Sequence, residues 1–113
     1  MATIDNSQSP MAITAPTGGI TAGSFKLIQN VLFFCPNAIA ATEVGTGYWK
    51  NKIIRASPKT TGTAWTKGQA LYWNNSTAKF QTNATGGTLR GFAAESAASG
   101  DATGDVELTG AVA

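Results

Sequence analysis

Ser57 and Lys59 stand two positions apart in Ser57-Pro58-Lys59, a spacing at which a lysine amine could take the proton of a serine hydroxyl. They are the nominal nucleophile and base of this chain, although loop serines and lysines fall this close so often that the spacing carries little weight. Glu95, Asp101, Asp105 and Glu107 are the acids from which a paired-carboxylate site would be built. That chemistry needs one member kept protonated, whereas Asp105 and Glu107 fall on one face of a short strand in a solvated hairpin and read as ordinary solvated acids. Gly100-Asp101-Ala102-Thr103-Gly104-Asp105 lacks the alternating oxygen ligands and closing glutamate of a calcium loop. Gly86-Gly87-Thr88-Leu89-Arg90-Gly91 lacks both the Gly-Lys-Ser/Thr and the G-x-G-x-x-G spacing of a phosphate cradle.

The chain has no histidine, which removes the commonest general base, the commonest metal ligand and every Ser-His or Cys-His arrangement. Its one cysteine, Cys35, ends the apolar run Val31-Leu32-Phe33-Phe34-Cys35. It can form no intramolecular disulfide and reads as a small buried hydrophobe. No catalytic, cofactor or metal site is expected. Asn75-Ser76-Thr77 and Asn83-Ala84-Thr85 match the glycosylation sequon, which means nothing without a secretory signal.

With no reaction centre to position, the elements themselves become informative. A chain of 113 residues reads as one small domain with a limited core. Only 12% of residues are charged, while Gly, Ala and Thr are abundant. Long solvated helices need Lys, Glu and Arg, so this composition predicts an all-β chain with a neutral, Thr-rich surface suited to being covered by partners. All eight Lys and Arg lie between Lys26 and Arg90 with only Glu43 among them, and the end of the chain is acidic. The basic residues are scattered and never form a run, so they read as solvated strand faces and no nucleic-acid partner is expected. The start lacks a basic region followed by an apolar one, and no run approaches the length of a membrane helix. The protein is expected to be made and used in the cytoplasm of the cell that makes it, or released when that cell opens, with no membrane partner.

Residues 1–23 are polar, with Pro10, Pro16 and Gly18-Gly19, and read as an extended N-terminal arm, flexible when free. Met11-Ala12-Ile13 and Ile20-Thr21 could pair with a sheet edge, as strand addition to a neighbour would require, and a frayed terminus with no role is the equal alternative. Residues 24–113 read as the body. Phe25 and Leu27 alternate with polar residues as a half-buried strand, and Val31 to Cys35 forms a more buried one before Pro36. Residues 37–46 fit either a helical turn or a loop. Tyr48 to Arg55 reads as the next strand and Ser57 to Thr63 as surface loop. Trp65 to Trp73 and Lys79 to Thr82 form a hairpin, and Thr88 to Ala98 runs into a turn at Ser99-Gly100-Asp101 before returning through Val106 and Leu108. The pattern predicts a small antiparallel β-barrel or sandwich. Trp49, Trp65, Trp73 and Phe80 are candidate core or self-association aromatics, core being the better reading of each singly.

The order and spacing of Lys67-Gly68, Leu71-Tyr72-Trp73, Thr82 and Thr85 before Gly86-Gly87-Thr88-Leu89, Gly91-Phe92-Ala93, Glu95, Ala97-Ala98-Ser99-Gly100-Asp101-Ala102, and the closing Val106 and Leu108 resemble the phage capsid cement proteins, a head-decoration family. Phe92 stands where a branched aliphatic residue is more usual, Gly87 where a polar one is common, and Gly104-Asp105 lengthens the approach to the last strand. The resemblance implies a non-enzymatic virion protein, many copies of which bind the outer surface of an icosahedral head and tie neighbouring major capsid subunits together, as a homo-oligomer with a trimer favoured. Ile4, Met11, Ile13 and Pro16 in the arm are then the candidate capsid contacts. A glycan-binding module using Trp49, Trp65 or Trp73 as stacking platforms, and a minor tail or connector component, are the alternatives.

Overall fold

A computed structural model describes residues 11–110, which form nine strands and, among the described residues, no helix. The strands are β1 (Met11–Thr14), β2 (Ser24–Ile28), β3 (Val31–Cys35), β4 (Val44–Gly47), β5 (Lys50–Pro58), β6 (Ala70–Asn74), β7 (Lys79–Gln81), β8 (Thr88–Ala93) and β9 (Thr103–Thr109). All ladder pairings are antiparallel: β1 with β4, β2 with β3, and a five-stranded sheet in the order β5-β9-β8-β6-β7. The protein is an all-β, sandwich-like domain.

Alternation with period two sets the inner face of the large sheet. Leu71 and Trp73 on β6, Phe80 on β7, Ala93 on β8, and Val106 and Leu108 on β9 turn inward, joined by Ile54 and Trp65 in one core. Trp73 and Phe80 meet edge to face with centroids 5.0 Å apart, a geometry that adds about 0.5–1.5 kcal/mol to simple burial. Thr60 N–H donates to the Phe80 carbonyl at 3.0 Å, and Lys59 and Phe80 form one parallel bridge. The sheet therefore curls toward itself without closing into a barrel.

The β2–β3 hairpin lies over this inner face, bringing Phe25, Leu27, Leu32 and Phe34 onto the core. Phe25 stacks against Phe34, Trp73 and Phe80. The opposite face of β3 presents Phe33 and Cys35 to a second cluster with Ile13, Ala15, Ile20 and Ile39. One strand thus serves two cores, which is why Val31 to Cys35 reads as a continuous apolar run. Tyr48 joins the far layer to β3 through reciprocal backbone bonds with Phe34 at 2.8 and 2.9 Å.

Ser57 to Lys59 departs from the surface loop expected there. Ser57 and Pro58 end β5, and Ser57 and Lys59 are buried. The pairing of β5 with β9 shifts register between Ile54 and Ser57, with Ala56 at positive φ, so Ile54 and Ser57 both reach the inner side. Asp105 holds this bulge, accepting from Ala56 N–H at 3.1 Å and from the Arg55 guanidinium at 2.7 Å. Pro58 is tolerated because β5 is an edge strand.

Arg90 is the extra residue of a second bulge: Gly91 faces Leu71 and Leu89 faces Tyr72, leaving Arg90 between them. Its side chain is buried and donates to the Asn30 carbonyl in the β2–β3 turn at 2.8 Å. Burial lowers its pKa from the ordinary guanidinium value. This contact ties the hairpin to the large sheet. Arg90→Ala is expected to lose about 2–3 kcal/mol in urea unfolding, from lost charge-assisted hydrogen bonding, that to Asn30 included, and from the packing of the aliphatic stem. Arg90→Met, which keeps the packing, should lose less, and equal losses would locate the whole effect in the hydrogen bonding.

Candidate interaction surfaces

Of the residues that could have done chemistry, Ser57, Lys59 and Asp101 are engaged in holding the fold, while Glu95 is exposed and reaches Lys67 only at 3.9 Å. Ser57 Oγ donates to the Ile54 carbonyl at 2.8 Å, and Lys59 Nζ to the carbonyls of Asp101 at 3.1 Å and Thr60 at 3.3 Å. Lys59 also lies over the Trp65 ring, 5.7 Å from its centroid. Asp101 accepts from Ala98 N–H within its own turn. Burial raises the pKa of the Cys35 thiol, which disfavours its reactive thiolate. Among the described residues no three acids or cysteines gather as metal ligands. A cleft of about 370 Å³ between the start of β2 and the end of β5 is lined by residues such as Phe25, Ala56, Pro58 and Trp73, and no acid or base borders it.

The candidate aromatics divide between core and layer boundary. Trp65, Trp73 and Phe80 are buried. Trp49 is half-buried against the second cluster, with Lys50 Nζ 4.8 Å above its ring. Trp65 and Trp73 therefore offer no open face on which a sugar could stack, and Trp49 offers one already carrying a cation.

Of the candidate capsid contacts, Ile4 lies outside the described residues. Met11 opens β1, Ile13 is buried in the second cluster, and Pro16 is exposed at the following turn. From Met11 onward the segment read as an arm pairs with its own chain. β1 is laddered to β4, Ala15 N–H donates to the Glu43 carbonyl at 2.9 Å, and Ile20 and Ile39 exchange backbone bonds at 2.8 and 2.9 Å. The alternation Ala12-out, Ile13-in, Thr14-out, Ala15-in is the signal that could have shown this.

The β1–β4 ribbon turns Ala12, Thr14, Val44 and Thr46 outward, in the pairs Ala12 with Thr46 and Thr14 with Val44. Val44 is 68% exposed, and none of the four is charged. Beside the ribbon, the segments 18–22 and 38–41 border a shallow concavity of about 670 Å³ made of Gly, Ala, Ile and Thr. Thr42 in the adjoining turn has φ +64°, unfavourable for a β-branched residue by about 1–3 kcal/mol. It is held there by a 3.2 Å bond from its N–H to the Ala15 carbonyl. Strain of this kind clusters at functional surfaces. An uncharged ribbon has the composition of an interface centre, where charge is depleted because it would have to be desolvated.

The family model described as phage cement protein matches residues 4–108. The chain belongs to the phage cement protein family. Among curated proteins and solved structures, nothing matches it. The cement family residues recognisable in the second half have scaffold roles here. Gly68, at φ +87°, turns the chain so that its N–H reaches the Ala93 carbonyl at 2.8 Å. Leu71, Trp73, Val106 and Leu108 fill the main core. Gly104 leaves room for the Trp65 ring, which a side chain at that position would strike. In this cement protein, the recognisable residues and the exposed ribbon therefore lie in different layers.

Proposed function

We propose that this protein binds the exterior of an assembled phage head and cements neighbouring major capsid subunits, acting as a structural homo-oligomer, a trimer being the favoured form, and not as an enzyme. The observation that carries this reading is the family match over almost the whole chain. The β1–β4 ribbon, which Met11 opens and Pro16 follows, is the proposed capsid-contact surface together with Ile4, and Ile13 is its internal anchor. Modest affinity at each copy suffices, because a shell presenting many linked sites gains through multivalency. The protein is made in the host cytoplasm and finishes on the outer capsid surface.

Co-sedimentation of Val44→Glu with expanded, undecorated heads tests the surface. Val44 is largely exposed, so the variant should melt like the wild type while binding heads at least tenfold more weakly, since the new carboxylate must be desolvated. Removal of residues 1–10, which takes away none of the contacts described above, should weaken binding with the body still folded. Wild-type binding by both variants would remove this end of the molecule from the contact.

A further inference from the structure

We infer that the outer face of the five-stranded sheet is the surface on which a second copy of this chain packs. Strand register places Ile53, Glu107, Phe92 and Ala70 in one row across that face, and Leu89, Tyr72 and Gln81 in the next. Ile53 is 49% and Leu89 45% exposed. Phe92 and Tyr72 are half-buried and belong to neither core. Four large apolar side chains thus stand together on a face that no other layer covers among the described residues, where scattered single ones would need no explanation.

The size of the face fits a copy of the same chain. Five strands spaced about 4.8 Å apart, with about 3.3 Å per residue, give a face of about 24 Å by about 20 Å. Pressing two such faces together removes on the order of 1,000 Å² from water, the lower limit for a specific interface. Glu107 is the one charge in the two rows and stands between Ile53 and Phe92, so the packing of two copies must leave its carboxylate hydrated. The edges of the large sheet are poor alternatives for strand addition: β5 carries two register shifts and β7 has only three residues. The β1–β4 ribbon lies on the far side of both cores, so one side can meet a copy while the other meets the capsid.

This inference rests on the homo-oligomer reading but not on head binding, and the test uses no heads. The solution mass is measured by sedimentation equilibrium over a range of concentrations for the wild type, Ile53→Glu, Leu89→Glu and Val44→Glu. The wild type should be oligomeric, and the first two variants should raise its dissociation constant at least tenfold while Val44→Glu leaves it unchanged. Ile53→Thr and Leu89→Thr, which suit a strand, give the same reading should a carboxylate on the sheet unfold it. A wild type monomeric throughout would overturn the inference together with the oligomer reading. An oligomer that ignores the substitutions at Ile53 and Leu89, or that Val44→Glu dissociates as well, would overturn the surface assignment alone.

Discussion

Phe80→Ala is expected to lower the stability of this protein by about 3–5 kcal/mol, the cost of deleting a fully buried ring whose surroundings can only partly collapse. Phe80 is completely inaccessible to solvent. Its ring lies 5.1 Å from Phe25 and 5.0 Å from Trp73, so it joins the β2–β3 hairpin to the large sheet. Its backbone carbonyl also receives Thr60 N–H where the sheet curls. Small domains hold only about 5–15 kcal/mol in total, so the variant should be partly unfolded at physiological temperature. Phe80→Leu, which keeps most of the volume, should be milder. Urea unfolding checks both, and a loss below about 1 kcal/mol for Phe80→Ala would contradict the single main core.

Gly91→Ala should be nearly as damaging, at about 3 kcal/mol, although it adds one methyl group. Gly91 lies on the inner side of β8 between Leu71 and Leu108. A Cβ there would overlap the Glu107 carbonyl oxygen and press on Val106 Cγ1. The obstacle is backbone, so no side-chain rotation relieves it and the β8–β9 ladder must open. Thermal unfolding reads the effect. A variant melting with the wild type would mean that β8 and β9 lie further apart than the ladder described here.

The all-β class was legible because sparse charge, abundant Thr and closely spaced turn residues all disfavour long helices. The half-buried Phe25-Leu27 strand and the return through Val106 and Leu108 are present in the structure, while the hairpin expected over Trp65 to Trp73 and Lys79 to Thr82 is shorter, Ala70–Asn74 with Lys79–Gln81, because the chain turns at Gly68. Residues 37–46, open between a helical turn and a loop, are loop over 37–43, with one bridge at Ile39, and strand from Val44, where β4 begins. Ser57 to Lys59 was not legible. A bulge changes which residues face inward, and the carboxylate that holds this one, Asp105, lies 49 residues from Ala56. No local pattern shows such a partner.

The interaction surfaces were only partly legible. Ile13 and Pro16 fall in the region now proposed for capsid contact, but Ile13 points into its own chain, because Phe33, Cys35 and Ile39 supply an apolar partner that only the tertiary fold brings to it. Val44 drew no notice because a single valine in an Ala-rich stretch carries no period. Ile53, Leu89 and Phe92 come from three strands that register alone aligns. The family resemblance rested mostly on small residues and core side chains, whose spacing records how the scaffold packs; Tyr72, Leu89 and Phe92 within it lie on the outer face of the large sheet.

Binding of the purified protein to expanded, undecorated heads tests the central claim most directly. Heads are mixed with rising amounts of protein, sedimented, and then heated. The cement reading predicts binding that saturates at a fixed number of copies per capsid subunit and heads that rupture at a higher temperature once saturated. No saturable co-sedimentation and no gain in heat resistance would contradict it.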